Sequence, residues 1–578
     1  MRRHACLSCW MIARRIVALT SIAAVSATLG LAQNSDANAY RMPPKAVADL
    51  IDASPTPGVS FSPDKSYMII MDRPSMPPIA ELAQPELRLA GTRINPRTNG
   101  RSRGRYSIRL TIKDVADGRE QIIAGMPDEA RIGNVSWSPD GARIAFSITK
   151  DNGIELWSAD IESATARRLI GPRLNAITGG YAWLADSRTL VCRLVPEGRG
   201  TAPPPLSVPT GPVIKENTGG KAPARTYQDL LKNSYDEALF DHYFTSQAAT
   251  VTLDGTIAPI GKPGVIRSAS PAPDGKHILI TTIHRPYSYL VPMYRFPHRV
   301  EVWNTAGKLV RQIADLPLAE QVPIGFGAVP TGPRSFGWRA DSPATLYWVE
   351  AQDGGDPRKK VDVRDKLFTL AEPFTDAPVA LISLGLRYAG VRWGDDNLAL
   401  VSERWWRTRK TRTWMVKPAQ PAVAASILFD RSYEDRYSDP GSPLLKRTPA
   451  GRSVLLIADG GKTLFLSGSG ASPEGSRPFL DRLDLATKET ERLWQSEPPY
   501  YESVVDLLDE QAKRIVTRRE SKNEPPNYTI RDLATGKLAP ITDFPHPTPQ
   551  LTGISKQLVQ YERGDGVKLS ATLYLPPG

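Results

Sequence analysis

A degenerate internal repeat constrains this chain more than any other feature. An aromatic or apolar residue, two spacers, an aspartate and often glycine or serine precede a β-rich run. Copies start at Phe61 (FSPDKSYMII), Trp137 (WSPDGARIAFSI), Trp183 (WLADSRTLVCRLV), Pro271 (PAPDGKHILITTI), Trp338 (WRADSPATLYWVE) and Trp393 (WGDDNLALVSE). Weaker copies start at Arg447 (RTPAGRSVLLIA) and Asp506 (DLLDEQAKRIVTR). Several are followed by a second strand ending in a turn, as in IELWSADIESA, VEVWNTAGK, LDRLDLATKE and YTIRDLATGK. Strand, turn and strand in fixed order, with an aromatic to pack between sheets, define the blades of a β-propeller. The predicted fold is therefore all-β. The motif starts lie 46 to 88 residues apart, which fits seven or eight blades without choosing between them.

Helical patterning is sparse. The best segment, TYQDLLKNSYDEALFDHYF (Thr226 to Phe244), follows a Pro/Gly-rich connector that reads as an insertion between blades. At the N-terminus, arginines precede an apolar run, Ile16 to Ala32, with a small-residue exit at Gly30-Leu31-Ala32. This is the order of a secretory signal peptide, so residues 1–32 are expected to be a leader and the protein to be exported, to the periplasm or beyond. A second small-x-small site, Ala37-Asn38-Ala39, leaves the cut open, and a membrane anchor is the rival reading.

Loss of the leader lowers the formal charge from +12 to +8, which does not resemble the concentrated basic composition of a nucleic-acid binder. It also removes Cys6 and Cys9 and leaves Cys192 alone, so neither an intramolecular disulfide nor a cysteine metal site is expected. The five remaining histidines, His242, His277, His284, His298 and His546, show no metal-ligand spacing, and His277 reads as a packed strand residue. No phosphate loop or dinucleotide fingerprint occurs. A literal G-x-S-x-G spans Gly100 to Gly104, but a strand-like segment, not a helix, follows Ser102, which is wrong for a nucleophile elbow.

Two segments stand out as binding candidates. Arg88, Arg93, Arg97, Arg101, Arg103, Arg105 and Arg109 crowd one run, and guanidinium forks bind carboxylates bidentately. The run suits acidic substrate side chains; the alternative is a solvated basic loop. Tyr287, Tyr289, Tyr294 and Phe296, within His284 to Trp303, suit either a peptide-binding mouth or packing between blades.

The C-terminal residues YERGDGVKLSATLYLPPG form the last pattern. Val567, Leu569, Ala571, Leu573 and Leu575 alternate with polar residues. Lys556 to Glu562 supplies a partner strand, and Gly564, Asp565 and Gly566 supply the turn. A two-stranded ribbon is marginal alone, so its covering layer is expected to be missing from this chain or to lie elsewhere.

These residues carry a family resemblance. The tail VQYERGDGVKLSATLYLPPG resembles the linker and first strands of the catalytic α/β-hydrolase domain in the prolyl oligopeptidase family of serine peptidases. Within it the chain is most similar to the glutamyl endopeptidase branch, through PELRLAGTRINPRTNG, TYQDLLKNSYDEALFDHYFTSQ, RPYSYLVPMYRFPHRVEVW, EDRYSDPGSP and RRESKNEPPNYTIRDL. The resemblance implies a leader (1–32), a propeller (33–550) and a linker with the first hydrolase hairpin (551–578). It implies cleavage of peptides or unfolded segments through a serine, an acyl-enzyme and an oxyanion hole, without metal or cofactor. The Ser, Asp and His would lie in the missing C-terminal hydrolase domain, so this chain alone is expected to be inactive and its propeller to gate substrate access. Arg88, Arg93 or Arg97 is expected to recognise an acidic substrate side chain. The competing expectation is a non-enzymatic envelope propeller that binds or scaffolds other proteins, with no membrane span once the leader is removed.

Overall fold

The computed structural model describes residues 42–208 and 227–576. The expected leader and the second half of the Pro/Gly-rich connector, residues 209–224, lie outside the described residues. The chain forms two compact units that divide between Ala53 and Ser54. In the first, the described secondary structure is one short helix, Lys45–Ile51. No described helix is long and apolar enough to cross a membrane.

In the second unit the strands fall, in chain order, into eight antiparallel meanders among the described residues. The first comprises Gly58–Phe61, Tyr67–Asp72, Arg109–Asp114 and Glu120–Ile122, and the second runs from Arg131 to Ile170. The third and fourth share the long strand Ile257–Pro271. Its first half pairs with Ser246–Thr252, and its second half starts the next meander against His277–Ile283. The fifth (Pro333 to Leu384), sixth (Arg387 to Ser432), seventh (Ser442 to Gln495) and eighth (Tyr501 to Pro540) follow.

The repeat residues explain this architecture. The motif aspartates cap the turn between the first two strands of a meander. Asp186 Oδ1 accepts N–H bonds from Arg188 and Thr189, and Asp274 Oδ1 accepts them from Lys276 and His277. The motif tryptophans pack between sheets, and three donate back to the preceding sheet's first strand, whereas the buried Trp393 Nε1 has no partner among the described residues. Trp137 Nε1 donates to Ser60 Oγ (3.1 Å), Trp183 Nε1 to the Ser136 carbonyl (3.3 Å) and Trp338 Nε1 to the Ser270 carbonyl (2.9 Å).

Each pair of successive sheets buries its own apolar cluster. Ile144, Phe146 and Trp157 of the second sheet pack on Ile69, Leu110 and Ile112 of the first, and equivalent clusters link every later pair. The last cluster joins Val516, Tyr528 and Ile541 of the eighth sheet to Met68 and Ile70 of the first. Phe61 meets Tyr528 edge to face, and Lys65 pairs with Asp506 at 3.1 Å. The sheets therefore close into a ring, the arrangement of a β-propeller. Among the described residues no strand pairing crosses the seam between first and last sheets, so side chains alone close it.

The weak motif at Arg447 is placed differently from the sequence expectation. It is not the first turn of the seventh sheet. That sheet's inner edge is split into Ser442–Pro443 and Ile457–Ala458. Between them a hairpin, Leu445–Arg447 paired with Ser453–Leu455, turns into the ring. It reaches the second and fourth sheets, where an added Cβ on Gly451 would meet Pro139 at 3.0 Å and Arg452 donates to the Pro271 carbonyl. It narrows the end of the ring that carries the motif turns.

Because the strands alternate in direction, the turns between second and third strands, and the links between sheets, lie at the opposite end. The terminal ribbon, Ser555–Glu562 paired with Lys568–Leu575, touches this loop face. Gln560 Nε2 donates to the Pro473 carbonyl (2.7 Å), and Lys522 Nζ donates to the Lys556 carbonyl (2.6 Å). The ribbon's apolar residues are largely exposed, including Leu558, Val559, Val567, Leu573 and Leu575.

Candidate functional site

The five segments that carried the resemblance all lie at or beside the loop face, and three of them fold into one cap. Leu89, Ala90 and Ile94 from the first sheet's insertion share a core with Leu231, Leu239, Phe240 and Phe244 from the third's. Val291 and Phe296 from the fourth complete it. Main-chain bonds tie the pieces, Gly91 N–H to the Asp229 carbonyl (2.8 Å) and Met293 N–H to the Ala90 carbonyl (2.9 Å).

The helix in this cap runs over Ser234–Phe244, shorter than the pattern from Thr226 predicts. Asn233 ends it physically: its side chain accepts from Asp236 N–H (2.9 Å), while Asp236 reaches back to Lys232 N–H (2.9 Å). Acidic groups of the helix hold the aromatic segment. Arg285 pairs with Glu237 and, at 2.7 Å, with Asp241; Tyr287 donates to Asp241, and Tyr289 to Glu237 at 2.8 Å. Tyr287 and Phe296 stack inside the cap, so these two pack, whereas Tyr289 and Tyr294 are exposed.

The arginine run is divided in the same way. Arg93 Nε bonds Asp229 at 2.7 Å, which raises the guanidinium's pKa further; Arg88 faces Glu86 (3.2 Å) and Asp229 (3.8 Å). Arg97 is exposed, and its guanidinium has no partner among the described residues. Arg101, Arg103 and Arg105 line, with Arg131, Glu81 and Tyr106, a cleft of about 490 Å³ beside the first and second sheets. Ser102, the centre of the G-x-S-x-G string, donates to Glu86 (2.8 Å) and lies in a turn after a two-residue strand. Among the described residues no histidine bonds a serine hydroxyl. His277 bonds Asp274 at 2.6 Å and packs on Phe374, His284 bonds Asp315 at 2.8 Å, and Cys192 is buried, which pushes its thiol pKa well up.

A second cleft, of about 550 Å³, opens between the fourth and fifth sheets. Arg267, Arg295, Arg334, His298 and Tyr294 line it, and among the described residues no aspartate or glutamate does. Burial and the nearby Arg267 charge press the His298 pKa down, although a hydrogen bond to the Phe296 carbonyl opposes them. Behind this cleft, three guanidiniums share two carboxylates. Arg387 spans Asp353 (2.6 Å) and Asp365 (2.8 Å), Arg364 adds to Asp353 (2.9 Å) and Arg334 to Asp365 (2.6 Å). Arg387 Nε also donates to the Gly327 carbonyl (2.8 Å), fixing the link that walls the cleft. Tyr294, Arg295 and His298 lie in the aromatic segment that stood out in sequence, whereas Arg267, Arg334, Asp353 and Arg387 did not, because each comes singly from a different strand or loop. One signal was present: RSASP and RSFGW place Arg267 and Arg334 four residues before the motif position in adjacent sheets.

Fold and site define a β-propeller with an elaborated loop face. No family model matches the chain. It is 46% identical over 567 residues to the "Probable glutamyl endopeptidase, chloroplastic" of Oryza sativa subsp. japonica, and 45% identical over 567 residues to the protein of the same name from Arabidopsis thaliana. These alignments cover 93% of this chain but 60% and 59% of the relatives, so the chain spans about three fifths of their length. In fold it is similar to the crystal structure of Porphyromonas gingivalis dipeptidyl peptidase 4. That likeness has a TM-score of 0.50 at 10% identity, over 93% of this chain and 67% of the other.

Proposed function

We propose that the chain is the eight-bladed propeller portion of an exported serine peptidase of the prolyl oligopeptidase type, similar to glutamyl endopeptidases. The observation that carries this reading is convergence: the segments shared with the branch gather at the face that bears the exposed terminal ribbon. Eight meanders joined by eight sheet-to-sheet clusters support the blade count. A ribbon with apolar residues in water lowers its free energy by docking on a further layer, at about 25 cal/mol per Å² buried.

On this reading the propeller does not perform the chemistry. It receives a peptide or unfolded segment at the loop face, orients it toward a serine carried by residues other than these, and excludes folded proteins. The seventh-sheet hairpin narrows the opposite end of the ring, which favours the loop face as the working mouth. Of the three arginines expected to read an acidic side chain, Arg97 is the one free to do so, since Asp229 and Glu86 occupy Arg93 and Arg88.

The test uses this chain and a full-length form whose frame continues into a hydrolase domain. A fluorophosphonate probe labels the longer protein and not residues 1–578, and the longer protein cleaves a Glu-containing peptide faster than its Ala counterpart. Labelling of the shorter chain, or a longer protein without peptidase activity, removes the reading. Charge reversal Arg97→Glu reduces the Glu preference at least tenfold; an unchanged preference removes Arg97 from recognition.

A further inference from the structure

We propose that the cleft between the fourth and fifth sheets is a carboxylate-binding site, built by Arg267 and Arg334 with Arg295 at its wall, distinct from the arginine run of the first sheet. The argument begins with repeat geometry. Arg267 and Arg334 hold equivalent positions in adjacent inner strands, so the ring sets them side by side at the loop-face end. In both strands the register shifts at this point, between Ile266 and Ser268 in one and between Arg334 and Gly337 in the other. A bulge re-aims side chains, and such features cluster beside binding sites.

The charges there are unbalanced. Among the described residues the one hydrogen bond from the Arg267 guanidinium is a long contact to the Tyr294 carbonyl (3.5 Å), and no carboxylate pairs with it. Desolvation alone lowers its pKa, so the cation is held partly out of water without compensation. Arg334 gives Nη2 to Asp365, while its Nη1 is buried with no partner. Arg295 is buried; its guanidinium donates to the Ala319 carbonyl (3.3 Å), interacts with the Tyr294 side chain and lies over the Tyr227 ring (5.8 Å), and among the described residues no carboxylate pairs with it. Behind them, Arg334, Arg364 and Arg387 outnumber Asp353 and Asp365 by one charge.

Arg193, on the second strand of the third sheet, is also buried, and among the described residues no carboxylate pairs with it. It bonds Thr178 Oγ1 (2.9 Å), the Arg267 carbonyl (2.7 Å) and the Gly179 carbonyl, and burial brings its pKa down to about 10. Several desolvated cations around an acid-free cleft form a preorganised anion site. A carboxylate entering it would satisfy the orphan Arg334 N–H and pair with Arg267 in a low-dielectric setting, where charge-assisted bonds are strongest. The cleft has room for a peptide side chain or a chain terminus together with neighbouring residues.

That a peptide bears the carboxylate rests on the peptidase reading; the anion site does not. The group comes either from an acidic side chain or from a C-terminus, and three peptides separate the sources. These are a doubly capped peptide with one central Glu, its Gln analogue, and the Gln analogue with a free C-terminal carboxylate. Binding to residues 1–578 is followed by fluorescence anisotropy at low salt.

At least one carboxylate peptide is expected to bind tenfold or more tightly than the capped Gln peptide, and that arm names the source. Arg267→Gln, which breaks no ion pair, abolishes the preference with an unchanged melting temperature, while Arg97→Glu leaves it in place. Carboxylate peptides that bind no better than the capped Gln peptide overturn the proposal, as does a preference that survives Arg267→Gln. Carboxylate binding in a protein whose full-length form shows no fluorophosphonate labelling would sink the peptidase reading and leave the anion site standing.

Discussion

At the residue scale, charge is the main organiser of the loop face. Asp353 has its side chain fully buried. Burial alone would raise its pKa, but hydrogen bonds and charge from Arg387, with Gly355 N–H and Arg364, bring it below the ordinary 3.8. A carboxyl whose folded pKa is depressed adds stability above its unfolded value, and that stability is lost as pH falls through the folded value. Asp353→Asn leaves Arg387 and Arg364 short of a partner and should cost about 3–5 kcal/mol at pH 7. The difference in denaturation free energy between parent and variant should shrink as pH falls below about 4. A gap that stays constant with pH would mean that Asp353 does not act through its charge.

The same scale shows what was legible in the sequence. Trp137, Trp183 and Trp338, with Asp186 and Asp274, declared the blades because each does one local job in every repeat. Arg267, Arg334 and Asp353 did not, because their partners are 11 to 34 residues away on other strands or loops, and single arginines look alike until the ring places them. Arg88, Arg93 and Arg97 were visible as a crowded run, yet the run could not show that Asp229, from a different insertion, binds two of them. The terminal ribbon was readable because alternation and turn residues are both local signals.

At the element scale, the seventh sheet departs most from the repeat. Its motif-like string RTPAGRSVLLIA became a hairpin into the ring because Ser442–Pro443 and Ile457–Ala458 already supply the inner edge. Gly451 is essential at its tip, with a φ of +73° and Pro139 in the way of any Cβ. Gly460, in the neighbouring turn, also has a positive φ of +64° but open space around it. Gly460→Ala should therefore show backbone strain alone, about 1 kcal/mol. Gly451→Ala should cost more, by the contact with Pro139. Equal losses in urea denaturation would show that the hairpin does not press on the second sheet.

At the scale of the whole molecule, a ring closed by side chains and three insertions fused into one cap place nearly all elaboration at one end. The other end carries short Asp turns and the seventh-sheet hairpin. The central claim is that the loop face is the working surface. Hydrogen–deuterium exchange of residues 1–578, with and without a saturating capped Glu-containing peptide, tests it most directly. Slowed exchange is predicted at 86–109, 284–298, 316–334 and 351–365, with the motif turns at 61–67, 137–143 and 183–189 unchanged. Protection confined to those motif turns or to the outer strands would contradict the account.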